Sequence, residues 1–242
     1  MIYFLEYKKI DKQKWDYNLE KSSNARIYAY SWYLDIVSPN WSALIDHDYR
    51  SIFPIPFKKK LGISYISQPL FTQQLGLFTS DKEHDIDLFI KEIPRRFWIR
   101  SLQIHNQCKN TKTKSNFELD ISNDIEKIRK GYSQNIKRNL KKAAEHNLEI
   151  KVCSNDSLIQ LFKENKGKEV PELNRKSYSI LVELLNKIQQ KEKGDCLGIY
   201  KEEKLISSAF FTNCLGRSTY LFSASNSIAK EIGANHFLID NY

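Results

Sequence analysis

The sequence has little cysteine, and nothing in its arrangement suggests a structural role. Four cysteines occur in the 242-residue chain, at Cys108, Cys153, Cys196 and Cys214. No two of them form a CxxC pair, and no histidine stands at metal-ligand spacing from any of them, so the sequence predicts no zinc site and no metal cofactor. Unpaired cysteines are typical of a reducing compartment, and we therefore expect a cytoplasmic protein.

Signals for membrane insertion, export and hydrolase chemistry are also missing. No apolar run approaches the roughly 18 residues that a spanning helix needs. The N-terminal residues contain neither a basic region nor a long apolar region, so no signal peptide is predicted. The absence of a Gly-x-Ser-x-Gly elbow argues against a nucleophilic triad of the α/β-hydrolase type.

What the chain does have is positive charge and ordinary globular composition. Hydrophobic residues make up 41% of the sequence and aromatic residues 12%, which excludes a disordered chain. The formal net charge of +9 favours an anionic partner: a nucleic acid such as tRNA, a phosphorylated cofactor, or the surface of an acidic membrane in peripheral contact. The alternative is that lysine-rich faces serve solubility alone.

The order of apolar and amphipathic stretches predicts an α/β protein with mixed (α+β) sheets. The polar stretch 108–115 is the predicted linker, which gives an N-terminal domain at 1–112 and a C-terminal domain at 113–242. In the first domain we predict strands at 1–7, 41–46, 49–57, 63–66 and 101–105, helices at 12–21, 25–35 and 85–93, and a basic turn at 58–62. In the second we predict strands at 116–120, 148–153, 196–200, 205–212 and 220–225, and helices at 125–132, 135–146, 158–166 and 177–191.

The segment 220–242 carries the clearest functional pattern. It reads as a short buried strand, a loop rich in Ser, Asn and Gly, and the first turns of a helix. Because free backbone N–H groups and the positive end of the helix dipole meet at such a point, the pattern predicts a site for an anion, such as the phosphate of an acyl donor.

Several segments resemble one known family. The sequence SQNIKRNLKKA at 133–143 resembles the segment that opens the second domain of FemABX-like proteins, a two-domain branch of the GNAT acyltransferase superfamily. The YLFSAS run at 220–225 is similar to that family's central strand, and 30–35 and 69–76 resemble first-domain segments of uncharacterised bacterial members. The resemblance implies two GNAT-like domains. The characterised members of the FemABX family move an amino acid from aminoacyl-tRNA onto a peptidoglycan precursor, while other GNAT proteins move an acyl group from coenzyme A.

The resemblance also implies a donor site. The GNAT pyrophosphate loop has the pattern Arg/Gln-x-x-Gly-x-Gly/Ala, and this sequence offers KEIGAN at 230–235. Lysine replaces Arg/Gln and still attracts phosphate as a point charge, while Asn235 replaces Gly/Ala and is a candidate helix cap. The implied site binds acetyl-CoA, another acyl-CoA or aminoacyl-tRNA, and consists of Phe222, Ser223, Lys230, Gly233, Ala234 and Asn235.

Candidate acceptor and phosphate contacts lie elsewhere in the chain. Gln73 and Gln74 interrupt an apolar stretch; they either hold a substrate amide, in a cleft between the two domains, or satisfy backbone groups at a strand end. Lys137 and Arg138 belong to a basic helix stripe that either binds phosphates or is simply solvated. Asp46, His47 and Asp48 are candidate bases by residue type, with a polar hairpin turn as the alternative. No catalytic residue is assigned.

We therefore expect a GNAT-type N-acyltransferase that moves an acyl or aminoacyl group onto an amine of a small molecule or a peptidoglycan precursor, in cell-envelope or polysaccharide synthesis. The alternative is a non-catalytic RNA-binding or remnant protein of the same fold. A complete GNAT domain continues with a further strand, helix and strand, so we expect the second domain to be truncated. The sheet edge left exposed is then a candidate for oligomer formation.

Overall fold

The computed structural model describes residues 1–80, 85–109, 111–171 and 173–242. These residues form two compact units. Unit 1 comprises Met1–Thr111, Ser179–Ile188 and Thr212–Ser218, and unit 2 comprises Lys112–Tyr178, Gln189–Phe211 and Thr219–Tyr242. The two-domain division at residue 112 stays a prediction.

The first part of the chain contains two sheets and three α-helices within the residues described. The elements are β1 Ile2–Leu5, α1 Lys12–Lys21, α2 Ser31–Val37, β2 Ser42–Asp46, β3 Ser51–Ile55, β4 Phe57–Lys60, β5 Ile63–Ser67, β6 Phe78–Thr79, α3 Ile86–Lys91 and β7 Phe97–Ser101. One sheet has the order β1-β2-β3-β6 and the other the order β4-β5-β7, in which β5 and β7 run parallel.

Burial explains why these strands form. Every residue of β2 and β3 is buried, as expected for strands covered on both faces. The buried side chains around them form one core cluster: Leu44, Phe53, Ile55, Ile66, Leu77, Ile86, Phe89 and Phe97. Burial of this cluster stabilises the unit by about 25 cal/mol per Å² of apolar surface removed from water.

The remaining elements include a four-stranded sheet of order β11-β10-β9-β8. They are α4 Ile125–Lys130, α5 Gln134–Ala144, β8 Glu149–Val152, α6 Asn155–Glu164, α7 Arg175–Gln190, β9 Gly194–Lys201, β10 Lys204–Cys214, β11 Arg217–Ser225, α8 Ser227–Glu231 and α9 Ala234–Asn241. Short 3-10 helices occur at Tyr7–Lys9, Ile27–Ala29 and Lys166–Glu169.

Two-residue turns join the last three strands of this sheet. Glu202 and Glu203 both have positive φ angles (50° and 61°), and so do Leu215 and Gly216 (56° and 68°). Two successive positive φ values are the geometry of a type I′ hairpin, whose twist matches that of the flanking strands. One face of the sheet packs on a second core cluster: Ile199, Ile206, Ala209, Phe211, Ala229, Ile232, Ala234 and Leu238.

Most predicted elements are present, and α7 has a fully buried face formed by Leu181, Leu184, Leu185 and Ile188. Several element predictions were wrong. Residues 58–60 of the predicted basic turn belong to β4, and only Leu61 and Gly62 make the turn. The strand predicted at 101–105 shares only Ser101 with β7. The single helix predicted at 25–35 is a 3-10 turn followed by α2.

A further wrong prediction is the strand at 116–120. These residues have the apolar–polar alternation of a strand, yet they form neither strand nor helix. Phe117 is 94% exposed and Leu119 64% exposed. A strand needs a hydrogen-bonding neighbour and a surface that buries its apolar face, and the structure supplies neither to this segment.

Candidate functional site

The segment predicted to hold a donor begins where β11 ends. The Asn226 N–H donates to the Ile206 carbonyl (3.0 Å) on the neighbouring strand β10. The Asn226 side chain accepts from the Ala229 N–H (2.9 Å), so it caps a helix. Because of this cap, residues 227–231 of the predicted open loop form the short helix α8.

Gly233 follows α8 and starts the last helix. Its φ of +75° lies in the left-handed region, where glycine carries no steric cost. A Cβ atom built on Gly233 would lie only 2.5 Å from the carbonyl oxygen of Asn139 in α5. The glycine is therefore required for the close approach of this turn to the backbone of α5. Gly233 thus has a packing role in addition to the phosphate contact that the sequence predicts.

Asn235 is held by two serines at the neighbouring strand ends. The Ser207 hydroxyl donates to Asn235 Oδ1, and Asn235 Nδ2 donates to Ser225 Oγ (3.3 Å). The predicted capping role of Asn235 was wrong, because Gly233 occupies the cap position and Asn235 lies inside α9. The side chain instead ties the start of α9 to β10 and β11.

The other predicted donor residues line the same part of unit 2. The Phe222 ring packs on Phe162 of α6 with centroids 4.8 Å apart, and Ser223 is half-buried beside it in β11. Lys230 is exposed on α8. Lys166 and, to a smaller extent, Lys230 lower the pKa of Glu169, so Lys230 lies near the 3-10 helix at 166–169.

The predicted phosphate contacts lie on α5, beside the Gly233 turn. Lys137 and Arg138 are both exposed. Lys137 Nζ donates to the Lys130 carbonyl (3.1 Å), and Arg138 donates to Asn135 Oδ1 (2.8 Å). Since Asn139 of the same helix touches Gly233, the structure brings this basic helix and the predicted donor segment together within unit 2.

A bidentate ion pair joins α4 to α9, the helix that begins after Gly233. Arg129 Nε and Nη2 donate to the two carboxylate oxygens of Asp240 at 2.9 and 2.8 Å. The hydrogen bonds to Asp240 raise the pKa of Arg129. Two-point contacts of this kind fix orientation as well as distance, so α4 is positioned against α9.

The remaining pair of predicted substrate residues, Gln73 and Gln74, lies in unit 1, on a loop at 68–76. The Tyr28 hydroxyl is 3.5 Å from Gln73 Oε1, and Gln74 is half-buried. Other side chains hold the loop: Gln68 Nε2 donates to the Thr72 carbonyl (2.7 Å), and the Tyr33 hydroxyl donates to the Phe71 carbonyl. The loop is thus fixed in shape before any ligand arrives.

That loop also contains unusual backbone geometry. Phe71 has a φ of +59°, which is rare for a bulky residue, and Gly76 has a φ of +131°. Strained backbone persists only where surrounding contacts enforce it, and it is found often at binding sites.

Residues 47–50 form the turn between β2 and β3, and Asp46 is the last residue of β2. His47 and Tyr49 have positive φ angles in the turn between β2 and β3. The buried Asp46 carboxylate accepts from the Met1 amino group (3.2 Å) and lies 3.0 Å from His47 Nδ1. These contacts close the turn around Asp46.

One chemical feature was missed by the sequence reasoning. Cys153 and Cys196 lie with their Sγ atoms 3.3 Å apart, although 43 positions separate them in the chain. The register of β8 and β9 places Glu149 opposite Tyr200 and Val152 opposite Leu197, and hence Cys153 opposite Cys196, and no local sequence pattern shows that register.

Within the residues that the structure describes, no group of three or more His, Cys, Asp and Glu side chains is arranged to hold a metal ion. Among the described helices, none has the length and apolar character needed to cross a membrane.

No family model matches the sequence, and no curated protein matches it. The structure, in contrast, is similar to a crystal structure of FemX, with a TM-score of 0.62 and 11% sequence identity. The similarity covers 96% of this chain and 83% of the FemX chain. At this identity the comparison establishes the fold. The chain has a mixed α/β fold of the FemX type, as its resemblance to FemABX-like proteins predicted.

Proposed function

We propose that this protein is an acyltransferase that moves an acyl or aminoacyl group onto an amine. The observation that carries the proposal is the FemX-like fold over 96% of the chain. A fold by itself hosts many activities, so the proposal also depends on the residues that unit 2 gathers around the end of β11.

The donor in this proposal is aminoacyl-tRNA in preference to acyl-CoA. A coenzyme A pyrophosphate needs open backbone N–H groups at the glycine turn, whereas Gly233 is buried against Asn139. The exposed cations nearby, Lys230, Lys137 and Arg138, suit an extended phosphate backbone that passes along the surface.

The donor's acyl end would lie against β11. Phe222, packed on Phe162, supplies apolar surface, and the half-buried Ser223 supplies a hydroxyl at the same strand. Transfer to an amine requires donors for the developing oxyanion, and backbone N–H groups of β11 that are not used by the sheet would serve this role. Catalysis in this proposal is mainly positioning of the two substrates, and no residue is assigned as the base.

The acceptor in this proposal binds at the 68–76 loop. The Gln74 side chain carries both an amide donor and an amide acceptor, which match the peptide groups of a peptidoglycan precursor or another peptide-bearing amine. Because the loop is already held by Gln68 and Tyr33, little conformational entropy is lost on binding. Cell-envelope synthesis is the process in which such an acceptor occurs.

The test compares two donors on two lysine variants. Each protein is titrated calorimetrically with acetyl-CoA and, separately, with aminoacyl-tRNA at low salt. Lys230→Ala removes a cation of the predicted donor segment, while Lys60→Ala removes another exposed cation, on β4 in unit 1. We expect tRNA to bind, with a dissociation constant about three- to tenfold weaker in Lys230→Ala and unchanged in Lys60→Ala.

Saturable binding of acetyl-CoA that weakens in Lys230→Ala would instead make coenzyme A the donor. Binding of neither ligand by folded protein would overturn the donor assignment. A Gly233 variant is unsuitable here, because any side chain at that position collides with the backbone of α5.

A non-catalytic RNA-binding protein is the second candidate, and the exposed basic residues of α5 favour it. Both candidates predict tRNA binding that weakens steeply with salt. They differ in turnover: only a transferase releases the labelled amino acid from tRNA onto an added amine faster than tRNA alone does. In that assay Gln74→Ala should reduce transfer to a peptide acceptor and leave tRNA affinity unchanged.

A further inference from the structure

The two thiols of Cys153 and Cys196 form a site that no other part of the proposed function uses. Cys153 is 7% exposed and Cys196 is fully buried, and their sulfur atoms are 3.3 Å apart without a bond. The Cys153 N–H donates to the Cys196 carbonyl (3.0 Å), so the two residues face each other across the β8–β9 ladder. Directly opposed residues in an antiparallel pair have Cα atoms about 4.5 to 5.5 Å apart, within the range that a disulfide bridges.

We propose that Cys153 and Cys196 are an oxidation site that closes to an intramolecular disulfide in the presence of a small hydroperoxide. The sulfur atoms need to approach by a little more than 1 Å to reach the bonded distance of about 2.05 Å, which is within side-chain rotation. Cys153, at 7% exposed, is the more accessible of the two residues, so a small hydroperoxide reaches it before Cys196. This inference is independent of the acyltransferase proposal.

The surroundings of the pair favour Cys153 as the attacking sulfur. Ser208 Oγ lies 3.0 Å from Cys153 Sγ and 3.6 Å from Cys196 Sγ. The hydrogen bond from Cys196 stabilises a thiolate at Cys153 and lowers its pKa, against the opposing effect of burial. The Ser208 hydroxyl donates to the Leu197 carbonyl (2.9 Å), which fixes its oxygen beside Cys153. The proton that Cys196 shares with this thiolate raises the pKa of Cys196. One thiol is thus poised to react and the other to resolve.

The chemistry balances in two steps. The Cys153 thiolate attacks one oxygen of hydrogen peroxide, the O–O bond breaks, and hydroxide leaves and takes up a proton to become water. Cys153 is then a sulfenic acid, oxidised by two electrons. The Cys196 sulfur attacks the sulfenic sulfur, the S–S bond forms, and the hydroxyl group leaves with the Cys196 proton as a second water.

Closing the bond would link β8 to β9 and enclose the chain between them. The Cys153–Cys196 separation of 43 positions includes α6 and α7. A cross-link across a loop of this length restricts the unfolded chain strongly, so oxidation should stabilise unit 2 against heat. Cys153 also precedes Ser154, whose side chain caps α6 by accepting from the Ser157 N–H (3.0 Å), so the link fixes the start of that helix.

The test uses the full chain, reduced and freed of reductant, then treated with hydrogen peroxide and quenched. Free thiols are blocked under denaturing conditions, and peptides are mapped by mass spectrometry. We expect a peptide pair joined through Cys153 and Cys196 that dithiothreitol separates, and a thermal midpoint raised by about 5 °C in the oxidised protein. Free thiols at both positions after treatment, or sulfinic acid at Cys153 without a cross-link, would overturn the proposal.

Two variants control the interpretation. Cys196→Ser removes the resolving thiol, so peroxide should leave a sulfenic acid at Cys153 that dimedone traps, with no rise in the thermal midpoint. Cys108→Ser should behave as wild type, because Cys108 lies against Asp87 and burial together with that carboxylate raises its pKa to about 11. A wild-type cross-link to Cys108 would contradict the assignment, and peptide mapping detects it even where the Cys196 variant is unstable.

Discussion

Gly76 lies near the predicted acceptor residues, and Gly233 lies among the predicted donor residues. The space around each of these two glycines is filled in a different way. Gly76, in the 68–76 loop of unit 1, is crowded by side chains: a Cβ atom would lie 2.3 Å from Asn106 Oδ1 and 3.1 Å from the His105 ring. Gly233, in unit 2, is crowded by the backbone of Asn139 at 2.5 Å. Asn106 can rotate away at the cost of its hydrogen bond from the Leu77 N–H (2.8 Å), whereas the backbone of a helix cannot move without breaking the helix. The Gly233 turn should therefore tolerate less change than the 68–76 loop.

The largest expected effect is that of Gly233→Ala. A left-handed φ costs an alanine about 1 to 2 kcal/mol, and the collision with the Asn139 carbonyl adds about 1 to 3 kcal/mol. We expect the free energy of unfolding, measured by urea denaturation, to fall by about 2 to 5 kcal/mol.

Gly216→Ala is the matched control for that substitution. Gly216 has nearly the same φ (+68°), yet no atom lies within 4 Å of its Cβ position. Gly216→Ala should therefore lower the free energy of unfolding only by the backbone cost of about 1 to 2 kcal/mol. Equal losses for the two glycines would show that packing against α5 is not what Gly233 provides.

The second prediction concerns His105, which contacts Gly76. Burial, with smaller contributions from the charges of Arg26 and Arg217, lowers the pKa of His105 to about 4. The unfolded chain binds a proton at this histidine near pH 6.5, the folded chain only near pH 4, so the unfolded state holds more protons between these values. The contribution of the neutral His105 to the free energy of unfolding is therefore fully present above pH 6.5. It falls by up to about 3 kcal/mol as the pH falls towards 4.

Urea denaturation of wild type and His105→Gln at pH 4, 5, 6 and 7 measures this loss. The glutamine retains an amide for the neighbouring Asn24, whose Nδ2 lies 2.8 Å from His105 Nε2, and it does not titrate. We expect the difference in stability between the two proteins to favour wild type most at pH 7 and least at pH 4. A difference that is constant over this range would contradict the buried neutral state of His105.

The contrast between these turns shows what the sequence could predict. The strand–loop–helix order at 220–242 was readable, because strand residues, turn residues and helix caps each have local signals. The packing of Gly233 on Asn139 was not readable, since it joins residues far apart in the chain. The same holds for the pairing of Cys153 with Cys196, which depends on strand register. The helix α8 was missed because the cap at Asn226 occupies a stretch that reads equally well as a loop.

The segment 116–120 shows the opposite limit of local pattern. Its alternation of Phe117 and Leu119 with polar residues predicted a strand, because alternation is the local signal of a half-buried strand. The structure leaves both apolar side chains more than half exposed. An alternating pattern indicates a preference for strand, but a strand forms only where a neighbouring strand is present to pair with it.

The smallest expected effect follows from this exposure. Phe117→Ser removes an aromatic ring that is 94% exposed, so it should change the free energy of unfolding by no more than about 0.5 kcal/mol. Phe89→Ser, which removes a core ring that is 1% exposed, should cost at least about 3 kcal/mol by the same measurement. A loss at Phe117 close to that at Phe89 would mean that the segment is buried in solution. Its alternating pattern would then belong to a strand after all.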